Sequence, residues 1–322
     1  MAEKTTVVIT GATGFIGRNI LARYAGREGC FVRAVYHQRP AFDVDAANVE
    51  WIQGDLTVDA DVRRILDGAD TVIQCAATTS GAGDIVNRPY IHTTDNAVMN
   101  SLMLRACYDL NVAHFLFFSC SIMYQPSEVP LREEDFSESD ILHPNYFPAG
   151  WTKVYLEKMC EFFAGLGRTK MTVLRHTNIF GPHDKYDLER SHMFGATVTK
   201  VMTAEEGGTI KVWGSGEEAR DLLYVDDLAD CVESCLANQT EPFGLYNVGY
   251  GQSIKVIDVV RKIIGASGKN LSIERDERAP TIPVSIALDC GRIQSATGWS
   301  PTTDFDDAVS RTIRWWAENR PV

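Results

Sequence analysis

The chain has 322 residues, 45% of them hydrophobic and 23% charged, with a formal net charge of −12. That length accommodates one large α/β domain or two modest ones, each with a core of its own. The acidic balance excludes general nucleic-acid binding, which needs basic clusters to neutralise phosphates, yet leaves room for a phosphate-bearing small ligand in a locally positive pocket.

The first predicted element is the β-branched run TTVVIT from Thr5, which leads directly into the glycines and helical period of GATGFIGRNILARYA. Further apolar strands follow in FVRAVYH at 31–37, VEWIQGDL at 49–56, TVIQCAA at 71–77 and HFLFFSCS at 114–121, with helical patterns such as TTDNAVMNSLMLRACYDL between them. Continuous apolar strands alternating with helices indicate a parallel sheet covered on both faces. MTVLRHTNIFGP at 171–182 predicts one more buried strand, ending at Gly181-Pro182.

Beyond it the pattern changes. SHMFGATVTKVMTA and YVDDLADCVESCLAN are helical, IKVWGSG and LYNVGYG are strands, and DFDDAVSRTIRWWAEN is an amphipathic helix. The fold class expected is α/β: a doubly wound, Rossmann-type parallel sheet with a smaller α/β domain built from non-contiguous segments. The boundaries expected are 1–176 plus about 221–249 for the first and about 177–220 plus 250–322 for the second.

Gly11, Gly14 and Gly17 form G-x-x-G-x-x-G between a strand and a helix. Such glycines permit a tight turn and let backbone approach a pyrophosphate resting on the helix N-terminus, so a nicotinamide dinucleotide is the expected cofactor. A carboxylate at the end of the second strand holds the ribose of NAD, whereas a basic residue accepts the 2′-phosphate of NADP. Here that end reads Val35-Tyr36-His37-Gln38-Arg39, and His37 with Arg39 tilts NAD(P) toward NADP; a solvated loop charge is the other reading of Arg39.

The eight cysteines, at 30, 75, 107, 120, 160, 231, 235 and 290, include no C-x-x-C pair, and no histidine accompanies Cys231 and Cys235. No metal site is expected, and reduced thiols in a cytoplasmic core are. Neither a signal peptide nor an apolar run of membrane-spanning length is apparent, so a soluble protein without membrane or nucleic-acid partners is expected.

Taken with the glycine loop, GDL at 54–56, CAA at 75–77, Lys153, NIFGP at 178–182 and VWGSGEEARDLLYVDDLA at 212–229 resemble the extended short-chain dehydrogenase/reductases. Those are nucleotide-sugar epimerases, dehydratases and reductases, and the likeness runs strongest to their GDP-L-fucose synthase branch. The resemblance implies that Gly11, Thr13, Gly14, Phe15, Ile16 and Gly17 hold the pyrophosphate, and that Asp55 and Leu56 border the adenine. Ala76 and Ala77 would lie along the cofactor, and Lys153 would hold the nicotinamide ribose. Asn178, His192, Trp213, Arg220 and Arg278 would receive the nucleotide sugar, Arg220 at its diphosphate; the competing role for Arg220 is a salt bridge to Asp221 or Asp226. His192 matches an acid histidine of that branch, with a plain surface-loop histidine as the other reading. The apolar helices at about 94–110 and 151–166 match the pair through which such enzymes form homodimers.

The resemblance also exposes departures. Cys120 stands where the family has a helper serine or threonine, four residues before the strand-closing Tyr124. Ile122 replaces the base cysteine of the fucose synthase branch, and Ser121-Ile122 replaces the Asp-Glu pair of 4,6-dehydratases. Ala149 occupies the position of the catalytic tyrosine, four residues before Lys153. Without a carboxylate or thiolate at 121–122, ring-proton abstraction lacks its base. Hydride transfer at a single carbon, C4, of a possibly GDP-linked sugar remains, as a dehydrogenase, reductase or epimerase reaction.

Candidates for its proton are Tyr146, Cys120, Ser121, Tyr124 and His192. Tyr146 is chosen, on the expectation that NYFPAG is an insert-like loop and that Lys153 lowers the phenol from its usual ~10; simple packing beside Phe147 is the alternative. A different class of function also stands: a catalytically degenerate member that binds the dinucleotide as a sensor or scaffold.

Overall fold

The computed structural model describes residues 4–78, 89–142, 144, 146–188, 191–279 and 285–320. Among these, β1 (Thr5–Thr10), β2 (Cys30–Tyr36), β3 (Val49–Gln53), β4 (Thr71–Gln74), β5 (His114–Phe118), β6 (Lys170–His176) and β10 (Phe243–Val248) form one sheet. Their order is β10-β6-β5-β4-β1-β2-β3, and every pair is parallel. It is the doubly wound sheet expected from the apolar runs.

Strand side chains alternate between the two faces, so each run feeds two cores. Val7 and Ile9 enter the cluster beneath α1 (Phe15–Tyr24) and α6 (Val225–Asn238). Val8 enters the opposite cluster beneath α2 (Asp59–Leu66), α3 (Pro89–Asp109) and α4 (Phe147–Gly165).

MTVLRHTNIFGP is not one strand. The chain leaves the large sheet after His176 and resumes as β7 (Asn178–Phe180), which pairs with β9 (Ala219–Tyr224), itself paired with β11 (Ser253–Lys255). Thr177 is the pivot. Its N–H donates to the Val248 carbonyl in the large sheet (2.9 Å), and its hydroxyl donates to the Asp221 carbonyl in the small one (2.7 Å). β9 straddles the boundary expected near residue 221, so the chain returns to the large sheet through α6 and β10.

A further pair, β8 (Thr209–Trp213) with β12 (Ser272–Asp276), the helices α5 (Met193–Thr203), α7 (Val256–Ser267), α8 (Gly291–Thr297) and α9 (Phe305–Asn319), and a 3-10 turn at Glu133–Asp135 complete the described elements. Asp304 caps α9 by accepting from the N–H groups of Asp306 and Asp307. Phe180, Val198, Ile257 and Trp316 share one buried cluster with Ile9 and Leu116, so apolar packing runs unbroken from large sheet to small.

Candidate active site

The glycine loop forms a cradle at the C-terminal edge of β1. Gly11 has φ +57°, and a Cβ there would sit 2.8 Å from the Ala76 backbone. A Cβ on Gly17 would collide with the Gly11 carbonyl, which already accepts from Gly14 N–H at 2.8 Å. Helix α1 starts at Gly14 without a side-chain cap or an acidic residue in its first turn, leaving its N–H groups open to an anion. Thr13 is buried, Phe15 and Ile16 are half-buried, and Ala76 N–H is anchored by the Thr10 hydroxyl (3.1 Å). These residues fit a dinucleotide pyrophosphate.

Around the cradle, Leu56 is buried and Asp55 holds the Thr57 N–H and hydroxyl at 2.9 and 2.7 Å, bonds that keep its carboxyl below the usual range. His37 Nε2 lies 3.8 Å from that carboxylate. Arg39 folds back over the loop and donates to the Thr13 carbonyl (3.0 Å). Beside it stands Arg18, stacked 3.8 Å over the Phe42 ring, its pKa lowered by burial and then by Arg39. Ala77 is exposed at the edge of the segment 79–88, which lies outside the described residues.

Lys153 donates through Nζ to the Phe118 carbonyl (2.6 Å), beside the Phe117 ring. Burial lowers its pKa, while Cys120 and Glu157 oppose the shift. Burial likewise raises the Cys120 thiol, so the residue next to Lys153 is a thiol at neutral pH. Tyr124 is held in a buried network. Its phenol donates to Asn247 Oδ1 (2.7 Å), accepts from Arg175 Nη1 (3.0 Å) and is pushed up to about 12 by burial. Ser121 opens the turn to Tyr124, accepting that residue's N–H at 3.2 Å.

Tyr146 caps α4, so Phe147-Pro148-Ala149-Gly150 is the first turn of a helix and not an inserted loop. Tyr146, Ala149 and Lys153 share one helical face. The expected lysine effect on the phenol is absent: burial raises it, Arg220 opposes, and Cys120 adds to the rise.

Asn178 from β7, His192 at the start of α5 and Arg220 from β9 line one narrow cleft with Ile179, Phe194 and Leu222. Asn178 Nδ2 reaches the Asp221 carbonyl (3.5 Å), and Arg220 Nη1 donates to the Ala219 carbonyl (3.0 Å). The anticipated salt-bridge partners of Arg220 are otherwise engaged: Asp226 pairs with Arg311 at 2.5 Å, and Asp221 accepts the N–H groups of Tyr250, Gly251 and Leu288. His192 keeps an edge open to solvent, while crowding by protein and then Lys185 lower its pKa. Trp213 and Arg278 do not join the described lining. Trp213 is 57% exposed beside Lys200, and Arg278 lies exposed in the turn after β12.

Two features escaped sequence reasoning. His176 ends β6, and the charges of Lys153 and His192 both bear on it. Behind it, Arg175 forks onto Glu157 (Nη2–Oε2 2.6 Å), which also accepts from the Ser119 hydroxyl. The signals were present: an arginine inside an apolar strand, and a glutamate one helical turn after Lys153.

The chain is 26% identical to GDP-L-colitose synthase of Yersinia pseudotuberculosis, over 98% of each chain. It is 26% identical to GDP-L-fucose synthase of Azorhizobium caulinodans, covering 100% of this chain and 99% of the relative. The solved UDP-glucose 4-epimerase of Thermotoga maritima superimposes with a TM-score of 0.83 at 21% identity, covering 98% and 100% of the two chains, a likeness of fold. The family model described as NAD dependent epimerase/dehydratase matches residues 7–249, and the chain belongs to that family.

Proposed function

We propose that the protein is an NAD(P)-dependent oxidoreductase of a nucleoside-diphosphate sugar, transferring hydride at a single carbon, C4, with a GDP-linked sugar the first to try. The observation that carries this reading is the convergence of Asn178, His192 and Arg220 on one cleft, in a chain that also has the glycine cradle and a buried Lys153. A protein that only sensed dinucleotide has no use for that cleft. The names of the two GDP-sugar relatives and of the 4-epimerase support the substrate class and the carbon.

When bound, the dinucleotide supplies or accepts the hydride. The glycine loop would hold its pyrophosphate and Lys153 its nicotinamide ribose. Arg220 presents a planar fork to the diphosphate of the sugar nucleotide. Tyr146, kept protonated by burial, offers a hydrogen bond to the sugar beside Arg220. Arg18 and Arg39 together support NADP over NAD, since adjacent guanidinium groups suit a 2′-phosphate. The division into a dinucleotide part and a sugar part is proposed on the same grounds. Trp213 and Arg278 are assigned to the sugar only if substrate draws their surface segments inward.

We further propose a cytoplasmic homodimer. All eight cysteines are free thiols, which suits a reducing compartment. Val98, Tyr155, Phe162 and Leu166 are each at least 40% exposed on α3, on α4 and at the C-terminal cap of α4, and a second copy would cover them. Light scattering at micromolar concentration tests this, a monomer being the contrary outcome.

The decisive assay follows nicotinamide absorbance with GDP-, UDP- and dTDP-hexoses and their 4-keto forms, with NAD and NADP in both directions. Turnover of one of them is expected. No turnover with any, together with tight dinucleotide binding, would establish the sensor or scaffold role instead.

A further inference from the structure

His176 closes β6 at the C-terminal edge of the large sheet, the edge outside which ligands of doubly wound sheets bind. Its ring packs edge-on against Phe118 of β5, with centroids 6.1 Å apart. The same Phe118 gives its carbonyl to Lys153 Nζ, so the lysine and the imidazole are fastened to one residue. The charge of His192, which lines the cleft, also bears on it, and Asn178 of that cleft follows two residues later. His176 thus sits beside the residue that holds Lys153 and two residues ahead of the cleft-lining Asn178.

Hydrogen bonding sets its tautomer. Nδ1 lies 2.6 Å from the Thr177 carbonyl oxygen, which can only accept, so Nδ1 carries the hydrogen and Nε2 keeps a lone pair. The ring is half-buried rather than sealed. The titratable groups facing it are Lys153 from α4 and His192 from the start of α5; Phe118 of β5 and Val248 of β10 bring no charge. Arg175, its neighbour on β6, is turned away onto Glu157. Burial first, and then two neighbours that are cationic when protonated, push the imidazole down to about 4. A neutral ring with a free Nε2 has a lone pair available to accept a proton at neutral pH.

The other candidates are protonated or engaged elsewhere. Cys120 is held as a thiol, Tyr124 is committed to a buried network, and the Tyr146 phenol is raised. We infer that His176, through Nε2, takes the hydroxyl proton when the sugar alcohol is oxidised and returns it when the ketone is reduced. The inference rests on the nucleotide-sugar oxidoreductase reading. The balance is complete: the O–H bond breaks and its proton moves to Nε2. The electron pair of the adjacent C–H bond leaves as hydride to the oxidised nicotinamide dinucleotide, and carbon gains a second bond to oxygen. His192, at the cleft mouth, is the route by which that proton reaches solvent.

Two measurements test this. Nitrogen-15 NMR of histidine-labelled, unmodified protein at pH 7, assigned with a His176→Gln variant, should find His176 neutral and protonated on Nδ1. A charged ring, or a hydrogen on Nε2, overturns the role. Because it is made on the unmodified chain, this measurement stands whether or not a variant folds. With the nucleotide sugar that the wild type turns over, His176→Gln should lower kcat by about a hundredfold or more. Dinucleotide affinity should be preserved, and the fall in rate as pH drops through the imidazole pKa should disappear. A fully active His176→Gln enzyme sinks this role alone. A wild type that turns over no nucleotide sugar sinks the oxidoreductase reading and this role with it.

Discussion

Tyr146 at the start of α4 and Arg220 on β9 act on each other: the guanidinium counters the burial that raises the phenol, and the phenol counters the burial that lowers the guanidinium. On the proposed reading, in which Arg220 meets the diphosphate, this pairing assigns Tyr146 to substrate binding rather than to the proton. Tyr146→Phe should therefore remove one hydrogen bond while keeping the ring. The expected cost is about 0.5–1.5 kcal/mol, a two- to tenfold rise in KM for the nucleotide sugar with most of kcat retained. Steady-state kinetics decides it: a hundredfold fall in kcat at unchanged KM would give Tyr146 the proton after all.

Arg220→Ala should separate the two binding sites. Loss of a charge-assisted contact to the diphosphate is expected to cost about 1.5–3 kcal/mol, or ten- to a hundredfold in sugar-nucleotide affinity. Dinucleotide binding, held by the glycine loop and Lys153, should not change. Calorimetric titration with each ligand separately checks this. Equal weakening of both would place Arg220 in the wrong pocket.

Much of this was legible from the chain alone, and the reasons differ from element to element. The cradle is readable because three glycines at fixed spacing serve backbone geometry, which sequence encodes directly. Asn178, His192 and Arg220 come together from three elements, and only motif likeness suggested that they would. The orientation of Tyr146 was not legible. Pro148 reads equally as a loop residue or as a helix-starting one, and the structure adopts the second. The break at Thr177 was hidden for a related reason: an apolar run of β-branched residues looks the same in one sheet or shared between two. His176 was overlooked because nothing local distinguishes a strand-end histidine in a site from one in a core.

The Arg175–Glu157 pair predicts a large stability effect. Both side chains are about 95% buried, and Glu157 also receives the Ser119 hydroxyl. Removing one partner strands a charge in the interior, so Glu157→Ala should destabilise by about 3–5 kcal/mol. Replacing both, as Glu157→Leu with Arg175→Met, should recover most of that loss, because no unpaired charge remains. Urea denaturation of the three proteins tests it. A Glu157→Ala variant within about 1 kcal/mol of wild type would mean that water reaches the pair.

Asp221, adjacent to Arg220, gives a prediction whose sign depends on which of two forces wins. Its carboxylate accepts the N–H groups of Tyr250 (2.8 Å), Gly251 (3.2 Å) and Leu288 (3.1 Å), clamping two loops of the sugar side onto β9. Those bonds favour the ionised form, while near-complete burial favours the neutral one. Burial prevails, raising the carboxyl to about 6. The folded chain therefore holds this proton more tightly than the unfolded chain, where a carboxyl titrates near ~3.9. Between those two values the native state binds more protons, so this group's contribution to stability falls as pH rises from about 4 to about 6, then levels off. The change is on the order of 2 kcal/mol. Asp221→Asn should be destabilised at every pH, since an amide NH₂ cannot accept from Gly251 and Leu288 as Oδ2 does. The gap between wild type and variant should also narrow as pH rises through that window, because only the wild type loses stability there. Paired denaturation at pH 4.5 and pH 7 measures the gap directly. A gap that widens with pH would mean that the three N–H donors outweigh burial and that the native carboxyl titrates below its unfolded value.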